Sequence, residues 1–274
     1  MKLSLKGIVI CASLFSISTA AYSYDNNSDY INQIETTFST VFQDWEHQVE
    51  GEYLVENNVW NKGQTKDYIQ KIGIKKGRHG AVKAGWGWSW PGSPVITAFP
   101  DVMFGKNPWA ESSTTPRLPV QISKISALYA DLKAIHLGNG HRNTAFQIWL
   151  TADPVSRPEH IRHEIMIWLR NDGLPLAPNQ KEMEIKGEKY TLSVMKDFGD
   201  PQLNPPIKWD YCSFLVPKPF MEGRVDIKAF LDFLIEDGLV SPHEYVAVIN
   251  LGNEIRDGEG LTVLESYKIT VDSN

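Results

Sequence analysis

Residues 163–170 form a strand-like stretch with chemically distinctive side chains at alternate positions. Alternate side chains of a β-strand face opposite sides of the sheet, so Glu164, Met166 and Trp168 would share one face. The other face would take the aliphatic side chains, Ile165, Ile167 and Leu169. A carboxylate beside an aromatic platform is a suitable lining for a sugar-binding cleft. The stretch therefore points to carbohydrate chemistry.

A second carboxylate, Glu254, closes an alternating run over residues 246–255 and follows Gly252 closely. A glycine in a strand often marks a place where other groups approach closely. Two glutamates on one sheet face could cleave a glycosidic bond, with one attacking or supporting the sugar carbon and the other protonating the leaving oxygen. Acidic residues are also common on exposed strand faces, so spacing alone does not separate a catalytic pair from a solvated one.

The segments that would position these residues are short apolar or alternating runs separated by turn residues, as is typical of a β-sandwich. The runs cover residues 53–55, 84–90, 95–99, 118–125, 128–136, 144–151, 164–170, 190–195, 211–216, 245–251 and 261–271. Residues 226–236 instead place apolar side chains at helical spacing, and Gly238 would end that helix. We predict an all-β fold of two packed antiparallel sheets with one surface helix.

The first 23 residues have the pattern of a secretory signal peptide. Lys2 and Lys6 precede a short apolar run, and Ala21 to Ser23 form a candidate cleavage site. The run is too short to span a bilayer comfortably, so we expect a protein that is secreted or periplasmic and is not anchored in a membrane.

Two regions follow the predicted signal peptide. Residues 24–50 contain a helical-looking stretch from Tyr30 to Trp45 and are interpreted as an N-terminal helical extension. Residues 51–274 are interpreted as the β domain, a length that suits one large all-β unit. No repeat, low-complexity segment or Ser/Thr/Pro linker joins this domain to an appended module.

Charge and cysteine content narrow the possible partners. Cleavage after Ser23 would remove two lysines and no acids, which moves the formal net charge from −6 to −8. An acidic chain without basic runs argues against nucleic acid or an anionic membrane as a partner. Cys212 would be the only cysteine left, in an apolar run, and is interpreted as a buried small hydrophobe that forms no internal disulfide.

The histidines lack the spacing of metal ligands, so we predict no catalytic metal and no cofactor. His163 adjoins Glu164 but should point to the opposite sheet face. We expect a monomer whose partner is its polysaccharide substrate.

Residues 84–90 place three indoles on one strand face, those of Trp86, Trp88 and Trp90, with small residues opposite. Aromatic side chains fill protein cores and also bind ligands, so both uses are open. Small residues opposite indicate that the reverse face is closely covered, and this favours exposure of the indoles in a cleft. Trp88 is therefore a substrate-binding candidate, whereas Trp149 could take either place.

The hexapeptide from Glu164 to Leu169 resembles the nucleophile strand of glycoside hydrolase family 12, which comprises compact endo-β-1,4-glucanases and xyloglucanases. Other landmarks of the family recur in its order from about Tyr53 to the C-terminus. They are residues 57–60, 85–91, 118–121, 143–149, 211–214, the helix at 226–236, residues 252–254 and the closing strand at 261–271.

The resemblance implies a jelly-roll sandwich whose concave sheet forms an open substrate cleft. It also implies a retaining double displacement on β-1,4-glucosidic bonds of cellulose-type glucans or xyloglucan, with Glu164 as nucleophile and Glu254 as general acid and then base. Glu254 must hold its proton near neutral pH, so its surroundings should raise its pKa. By the same resemblance, the cleft would be lined by Asn58, Trp60, Asn143, Met166 and Trp168.

The chain departs from the family pattern at three places. Gln147 stands where the family usually has an aspartate in contact with the nucleophile, and its amide can only donate a hydrogen bond to ionised Glu164. That substitution should lower the pKa of Glu164. Ile255 and Arg256 replace an aromatic pair after the acid/base glutamate, which substitutes a cation for a platform, and Asn61 replaces a common glycine.

Three hypotheses about function are open at this point. The first is a secreted endo-β-1,4-glucanase that favours soluble or hemicellulosic glucans, because no binding module is attached. The second is a catalytically weakened glucan-binding or sensing protein on the same scaffold, motivated by Gln147 and Arg256. The third assigns the function to the N-terminal helix and a protein partner. Removal of residues 24–50 would discriminate, since a glucanase should stay active unless that segment packs on the fold.

Overall fold

The computed structural model describes residues 29–200 and 206–274, so the predicted signal peptide, residues 1–23, lies outside the described residues. The elements are α1 (Asp29–Thr37), β1 (His47–Glu50), β2 (Tyr53–Glu56), β3 (Ile69–Lys76), β4 (Val82–Trp90), β5 (Asp101–Gly105), β6 (Val120–Gln121), β7 (Ile125–Gly138), β8 (Arg142–Thr151), β9 (Ile161–Asp172), β10 (Gln180–Ile185), β11 (Glu188–Asp200), β12 (Ile207–Leu215), β13 (Glu222–Val225), α2 (Ile227–Glu236), β14 (Tyr245–Gly252) and β15 (Gly258–Ser273). No helix among them is long and apolar enough to cross a membrane.

The strands form two sheets. The larger sheet has ten strands in the order β1-β2-β5-β14-β8-β9-β12-β11-β10, with β6 paired to β14. The smaller sheet has five strands in the order β13-β7-β15-β4-β3. Among the described strands, neighbours are antiparallel except β9 and β12, which run parallel. The predicted all-β jelly-roll sandwich is confirmed.

Strand β9 divides its side chains between two environments. Ile165, Ile167 and Leu169 lie in the main core between the sheets. Met166 and Trp168 lie in a separate cluster on the face of the larger sheet that points away from the smaller one, called the open face below. The predicted division of this strand is confirmed, and it follows from the period of two along a pleated strand.

The three tryptophans of β4 point into the core and not into a cleft. Trp86, Trp88 and Trp90 have 0%, 0% and 2% of their surfaces exposed, and all three belong to the core cluster between the sheets. The assignment of Trp88 as a substrate-binding residue is therefore wrong. The alternation was correct, but β4 belongs to the smaller sheet, so the indole face is the inner one.

Helix α1 covers the other face of β4. A Cβ added at Gly85 would lie 2.8 Å from a ring carbon of Phe38, and one at Gly87 would lie 3.1 Å from a side-chain carbon of Ile34. Ile34 and Phe38 are buried against the sheet. The small residues opposite the indoles are thus closely covered, as predicted, and this helix packs on the fold.

The helix ends earlier than the predicted stretch to Trp45. After Thr37 the chain pairs with β3, where Val41 and Ile72 exchange two backbone hydrogen bonds of 3.0 Å. Residues 47–50 then join the larger sheet as β1. Pairing satisfies backbone donors and acceptors that would otherwise be buried without partners, and it prevails over the helical apolar spacing.

Helix α2 matches the prediction at both ends. Its N-cap is Asp226, whose carboxylate accepts a hydrogen bond of 3.1 Å from the backbone N–H of Ala229. Gly238 follows with φ of 70°, a conformation that glycine adopts without steric cost. The buried side of the helix packs into the main core.

Candidate active site

Glu164 lies on β9, in the middle of the larger sheet, and is 7% exposed. The amide of Gln147 on β8 donates a hydrogen bond of 2.7 Å to Oε1. The indole of Trp209 on β12 donates a hydrogen bond of 2.9 Å to Oε2. The two strands beside β9 therefore hold one carboxylate oxygen each, and this fixes the direction of the group.

Burial raises the pKa of Glu164 to about 6, against the lowering effect of the hydrogen bonds from Gln147 and Trp209. The lowering expected from Gln147 is present as one contribution, but desolvation outweighs it and the net shift is upward. A carboxyl with this pKa is mostly ionised at neutral pH, as a nucleophile must be.

Glu254 is half-buried and follows the end of β14. Asn143, near the start of β8, contacts it at three points. The Asn143 amide donates to Oε2 of Glu254, its Oδ1 accepts the Glu254 backbone N–H at 2.9 Å, and its own backbone N–H donates to the Glu254 carbonyl at 3.1 Å. Asn143 therefore orients both the backbone and the carboxyl group of Glu254.

The pKa of Glu254 is raised to about 8, first by burial and then by the negative charge of Glu164, while the hydrogen bond from Asn143 opposes the shift. Glu164 has the lower pKa and ionises first, so its charge is present when Glu254 titrates. The predicted rise in the pKa of Glu254 is confirmed. This group keeps its proton at neutral pH and can act as an acid.

Tyr211 on β12 is close enough to both carboxyl groups for their charges to act on its hydroxyl. Burial raises the pKa of its hydroxyl well above the ordinary value, and the charges of Glu254 and Glu164 raise it further. The hydroxyl donates a hydrogen bond of 3.3 Å to Sδ of Met166. The nucleophile candidate, the acid candidate and Met166 are thus brought together around one phenol.

Met166 and Trp168 lie on the open face beside this region. They are 1% and 4% exposed and pack with Phe99, Leu174 and Tyr211. Both residues therefore form part of the floor near the glutamates and do not project freely from it.

Asn58 and Trp60 lie in the loop after β2. The carbonyl of Asn58 accepts the backbone N–H of Phe99 at 3.1 Å, and Thr97 donates its backbone N–H at 2.7 Å to Ile255, one residue past the second glutamate. The loop is thus tied to the segment that carries the acid candidate. Trp60 is 55% exposed and free to stack on a ligand.

Trp209 was not among the site residues predicted from the sequence. Its contact with Glu164 depends on the parallel pairing of β12 with β9, two strands that are far apart in the chain. The only local signal is its alternation with Tyr211, which puts both side chains on one strand face.

Trp209 belongs to an aromatic ledge, defined here as Trp109, Trp149, Trp209 and Phe198. Ring centroids are 5.5 Å apart for Trp109 and Trp149, 5.2 Å for Trp149 and Trp209, and 5.9 Å for Phe198 and Trp209. Trp109 and Phe198 are 49% and 40% exposed. Trp149, which could take either place by sequence, lies outside the main core in the cluster with Trp209.

Glu254 is followed by a buried apolar residue and then by a pair of opposite charges. Ile255 is fully buried, and Arg256 Nε lies 3.2 Å from the carboxylate of Asp257. That carboxylate also accepts the backbone N–H of His141 at 2.8 Å. The cation that replaces the family's aromatic platform is thus bound to an acidic neighbour.

The remaining chemically active groups lie apart from the two glutamates. His163 contacts Glu244 at 2.7 Å and not Glu164, as the alternation predicted. Cys212 is buried, and burial raises the pKa of its thiol to about 12. Among residues 29–200 and 206–274, no group of three or more His, Cys, Asp or Glu could hold a metal ion.

A family model described as glycosyl hydrolase family 12 matches residues 51–272 of the chain. Endoglucanase S of Pectobacterium parmentieri is 25% identical over 222 residues, which cover 80% of this chain and 81% of that protein. A probable xyloglucan-specific endo-β-1,4-glucanase A of Aspergillus clavatus is 24% identical over 242 residues, which cover 83% of this chain and 89% of that protein.

Solved structures share the fold. The family 12 xyloglucanase of Bacillus licheniformis in complex with ligand has a TM-score of 0.75 at 22% identity, and the match covers 85% of this chain and all of the other. Endoglucanase 3 of Trichoderma harzianum has a TM-score of 0.70 at 20% identity, with 86% and 98% covered. At these identities the likeness concerns the fold alone.

Proposed function

The chain belongs to glycosyl hydrolase family 12 and is a glucan hydrolase by that membership; we propose that it is a secreted, endo-acting enzyme that cleaves β-1,4-glucosidic bonds by a retaining double displacement. The observation that carries the proposal is the different environment of two glutamates in one region. Glu164 is mostly ionised at pH 7, whereas Glu254 mostly keeps its proton.

In the first step the carboxylate of Glu164 attacks the anomeric carbon and forms an ester bond to the sugar. The glycosidic C–O bond breaks, and Glu254 gives its proton to the departing oxygen. In the second step Glu254, now ionised, takes a proton from water, and the resulting hydroxide equivalent attacks the anomeric carbon. The ester bond breaks, Glu164 leaves as a carboxylate, and the sugar keeps its original anomeric configuration.

Gln147 and Trp209 support the role of Glu164, because two donors stabilise the charged form before attack and again when the ester breaks. Asn143 supports the role of Glu254 because its side-chain amide donates a hydrogen bond to the carboxyl group and orients it. Met166, Trp168 and Asn58 would line the cleft around the reacting sugar.

The proposed substrate is a cellulose-type β-glucan or xyloglucan. The names of the two relatives given above favour these polymers, and the exposed rings of Trp60 and the aromatic ledge suit sugar stacking. We further propose that the first 23 residues direct export and that the protein acts as a monomer without a cofactor.

Two alternatives receive less support. A catalytically weakened binding protein would not need the separated pKa values of Glu164 and Glu254, and Gln147 keeps a hydrogen bond to the first of them. A partner-binding role for α1 would require a free apolar face, but Ile31, Ile34 and Phe38 are buried against the sheet. Because α1 packs on the fold, deletion of residues 24–50 would disturb the enzyme itself.

The test is release of reducing sugar by residues 24–274 from xyloglucan, mixed-linkage glucan and carboxymethylcellulose. We expect Glu164→Gln and Glu254→Gln to lower kcat on the preferred polymer by at least about 1000-fold, since each removes a group that the reaction requires. Glu184→Gln, at an exposed glutamate of β10 in the same sheet, is the matched control. A viscosity that falls before most reducing sugar appears would support endo action, and NMR of the first product would give the anomeric outcome.

An unmutated protein that binds these glucans but cleaves none of them would overturn the proposal in favour of the binding protein. Inversion of the anomeric configuration would overturn the retaining mechanism alone.

A further inference from the structure

A buried polar cluster lies directly behind Glu254 and between the two sheets. It consists of Asn253, Thr262, His136, Arg142 and Thr144, whose exposed fractions range from 0% to 8%. Asn253 immediately precedes the acid candidate in the chain. Polar groups are costly to bury unless their hydrogen bonds are made, so the direction of each bond in the cluster is informative.

The amide orientation of Asn253 is determined by two neighbours that can act in only one way. The indole N–H of Trp86 can only donate, and it contacts Oδ1 of Asn253 at 2.6 Å. The backbone carbonyl of Asn143 can only accept, and it receives the Nδ2 group of Asn253. A flipped amide would place donor against donor and acceptor against acceptor, so the orientation is fixed.

The protonation of His136 is fixed by Arg142 in the same way. Arg142 Nε–H donates to Nε2 of His136 at 2.9 Å, so Nε2 carries no proton. Burial lowers the pKa of His136, which agrees with a neutral ring. The single ring proton is therefore on Nδ1, 2.9 Å from the hydroxyl oxygen of Thr262. The Thr262 oxygen accepts this hydrogen bond, and its hydroxyl donates to Oδ1 of Asn253 at 2.8 Å.

Arg142 is anchored at the far end of this chain of hydrogen bonds. Its terminal nitrogens donate to the carbonyls of Gly140 and Gly138 at 2.9 and 2.8 Å. The carboxylate of Asp172 lies 3.3 Å from Nη2 of Arg142 and is also bound by Arg170 at 2.8 Å. Oδ2 of Asp172 also lies 3.3 Å from Nε2 of His136, but the two guanidinium groups already supply donors to it, so it does not require a proton from the ring.

We infer that Asn253 is a positioning residue for the general acid, Glu254. Asn253 holds Asn143, which binds Glu254, and the hydrogen bonds that run from Arg142 through His136 to Thr262 hold Asn253. The inference depends on the proposed hydrolytic function. Asn253 fixes the backbone carbonyl of Asn143. Asn143 in turn binds Glu254 through its side chain and through its backbone N–H. Glu254 lies past the end of β14, where isolated bridges from Ile255 to Ala98 and Arg142 take the place of a continuous ladder, so the side-chain bonds of Asn143 add to the support of this segment.

The cluster also links the segment that carries Glu254 to both sheets. Trp86 and Thr262 belong to β4 and β15 of the smaller sheet, while Asn143 and Thr144 belong to β8 of the larger sheet. Misplacement of a reacting group by about 1 Å can cost about 100-fold in rate. Loss of the hydrogen bonds that join the two sheets at Asn253 should therefore slow proton transfer more than it weakens binding of the sugar.

The test uses two aryl β-cellotriosides that differ in their need for the acid. A 2,4-dinitrophenolate leaves without a proton, whereas an unsubstituted phenolate requires one. Thr262→Val and Asn253→Ala should lower kcat/KM for the phenyl glycoside by about 10-fold and about 100-fold, because proton donation in the transition state contributes about 100-fold or more. Both variants should stay within about 3-fold of the unmutated protein on the dinitrophenyl glycoside, since the nucleophile is untouched.

Thr151→Val is the matched control, because Thr151 is a buried threonine whose hydroxyl donates to the carbonyl of Asp153 at 2.9 Å, at the opposite end of β8 from Asn143. It should lower the melting temperature without changing the ratio of the two rates. Equal losses on both glycosides in the Asn253 and Thr262 variants would overturn the positioning role and leave a structural one. If Asn253→Ala does not fold, Thr262→Val alone decides the matter. An unmutated protein inactive on both glycosides would overturn the proposed function, and the positioning role with it.

Discussion

Two side chains of the same type behave differently at the open face because their neighbours differ. Glu164 receives hydrogen bonds from Gln147 and Trp209, and these stabilise its charge. Glu254 receives one, from Asn143, and also experiences the charge of the first glutamate. Burial raises the pKa of both, and the difference in partners separates the two values.

This separation predicts the pH dependence of activity. The nucleophile must be ionised, so kcat/KM should fall as the pH drops through about 6, where Glu164 gains a proton. The acid must be protonated, so kcat/KM should fall again as the pH rises through about 8, where Glu254 loses its proton. A profile of kcat/KM between pH 4 and pH 10 checks this, and a curve without a basic limb would contradict the role given to Glu254.

Trp209→Phe should move the acid limb to higher pH. The substitution removes the donor to Oε2 of Glu164 but keeps an aromatic ring, so the charged form loses a hydrogen bond and the pKa rises. A charge-assisted hydrogen bond contributes about 1.5 kcal/mol, which corresponds to about one pH unit. Trp149→Phe, at the neighbouring indole of the aromatic ledge, is the control and should leave the acid limb in place. An unmoved limb in both variants would show that the indole does not tune the nucleophile.

Sequence alone recovered part of this site. The period of two along β9 predicts that Glu164 and Met166 share a face, and resemblance to the family assigned roles to Glu164 and Glu254. Trp209 escaped because its contact requires knowledge of which distant strands pair. The polar cluster around Asn253 was not predicted for the same reason, since its members come from both sheets and are far apart in the chain.

At the scale of elements, β4 shows what a periodic pattern can and cannot predict. Alternation separates the indoles of residues 86, 88 and 90 from the small residues between them, but it does not say which face is the inner one. That depends on the sheet to which the strand belongs and on α1, which covers Gly85 and Gly87. The three tryptophans were therefore grouped correctly and placed on the wrong side.

Several strands were not predicted because their residues lack alternation. All five residues of β5 are buried, so the strand has no exposed face, and residues 95–99 were predicted in its place. The predicted run at residues 190–195 covers part of β11, but β10 was not predicted, although the two strands pair at the edge of the larger sheet. An edge hairpin with many charged residues has weak apolar periodicity, and this explains the omission.

Ile34→Ala tests whether α1 is part of the cooperative fold. Ile34 is fully buried between the helix and the glycines of β4, so its truncation should lower the free energy of unfolding by about 2–5 kcal/mol. Glu35→Ala, at an exposed position on the same helix, should cost about 1 kcal/mol or less. Denaturant unfolding of the two variants measures the difference, and equal stability would mean that the helix does not dock.

The change in the stability of the whole molecule with pH should depend on a pair of acids other than Glu164 and Glu254. Asp101 and Glu56 face each other across β5 and β2. Asp101 is fully buried, and neither carboxylate oxygen has a hydrogen-bond partner among the described residues. Burial and the charge of Glu56 raise the pKa of Asp101 well above its ordinary value, and burial raises that of Glu56 to about 7.

Raised pKa values mean that the folded state binds more protons than the unfolded state. The free energy of unfolding should therefore fall as the pH rises from the unfolded value of 4.5 for Glu56 through its folded value of about 7. Asp101→Asn should relieve part of this loss. We expect a melting temperature close to that of the unmutated protein at pH 5 and a few degrees higher at pH 8, because about 1 kcal/mol shifts it by roughly 2–4 °C in a domain of this size.

Asp272→Asn, at an exposed position near the end of β15, is the control and should show little change at either pH. A constant difference between Asp101→Asn and the unmutated protein across this range would rule out titration as the cause.

The strand order has a consequence for biosynthesis. β14 and β15 follow every other described strand in the chain, yet β14 lies between β5 and β8, and β15 lies between β7 and β4. Until both have left the ribosome, each sheet is divided into halves with unpaired apolar edges, and its pairs join residues far apart in the chain. Such non-local pairing folds slowly. A domain that cannot complete either sheet before β15 has been synthesised is suited to translocation in an extended state, as the proposed export would require.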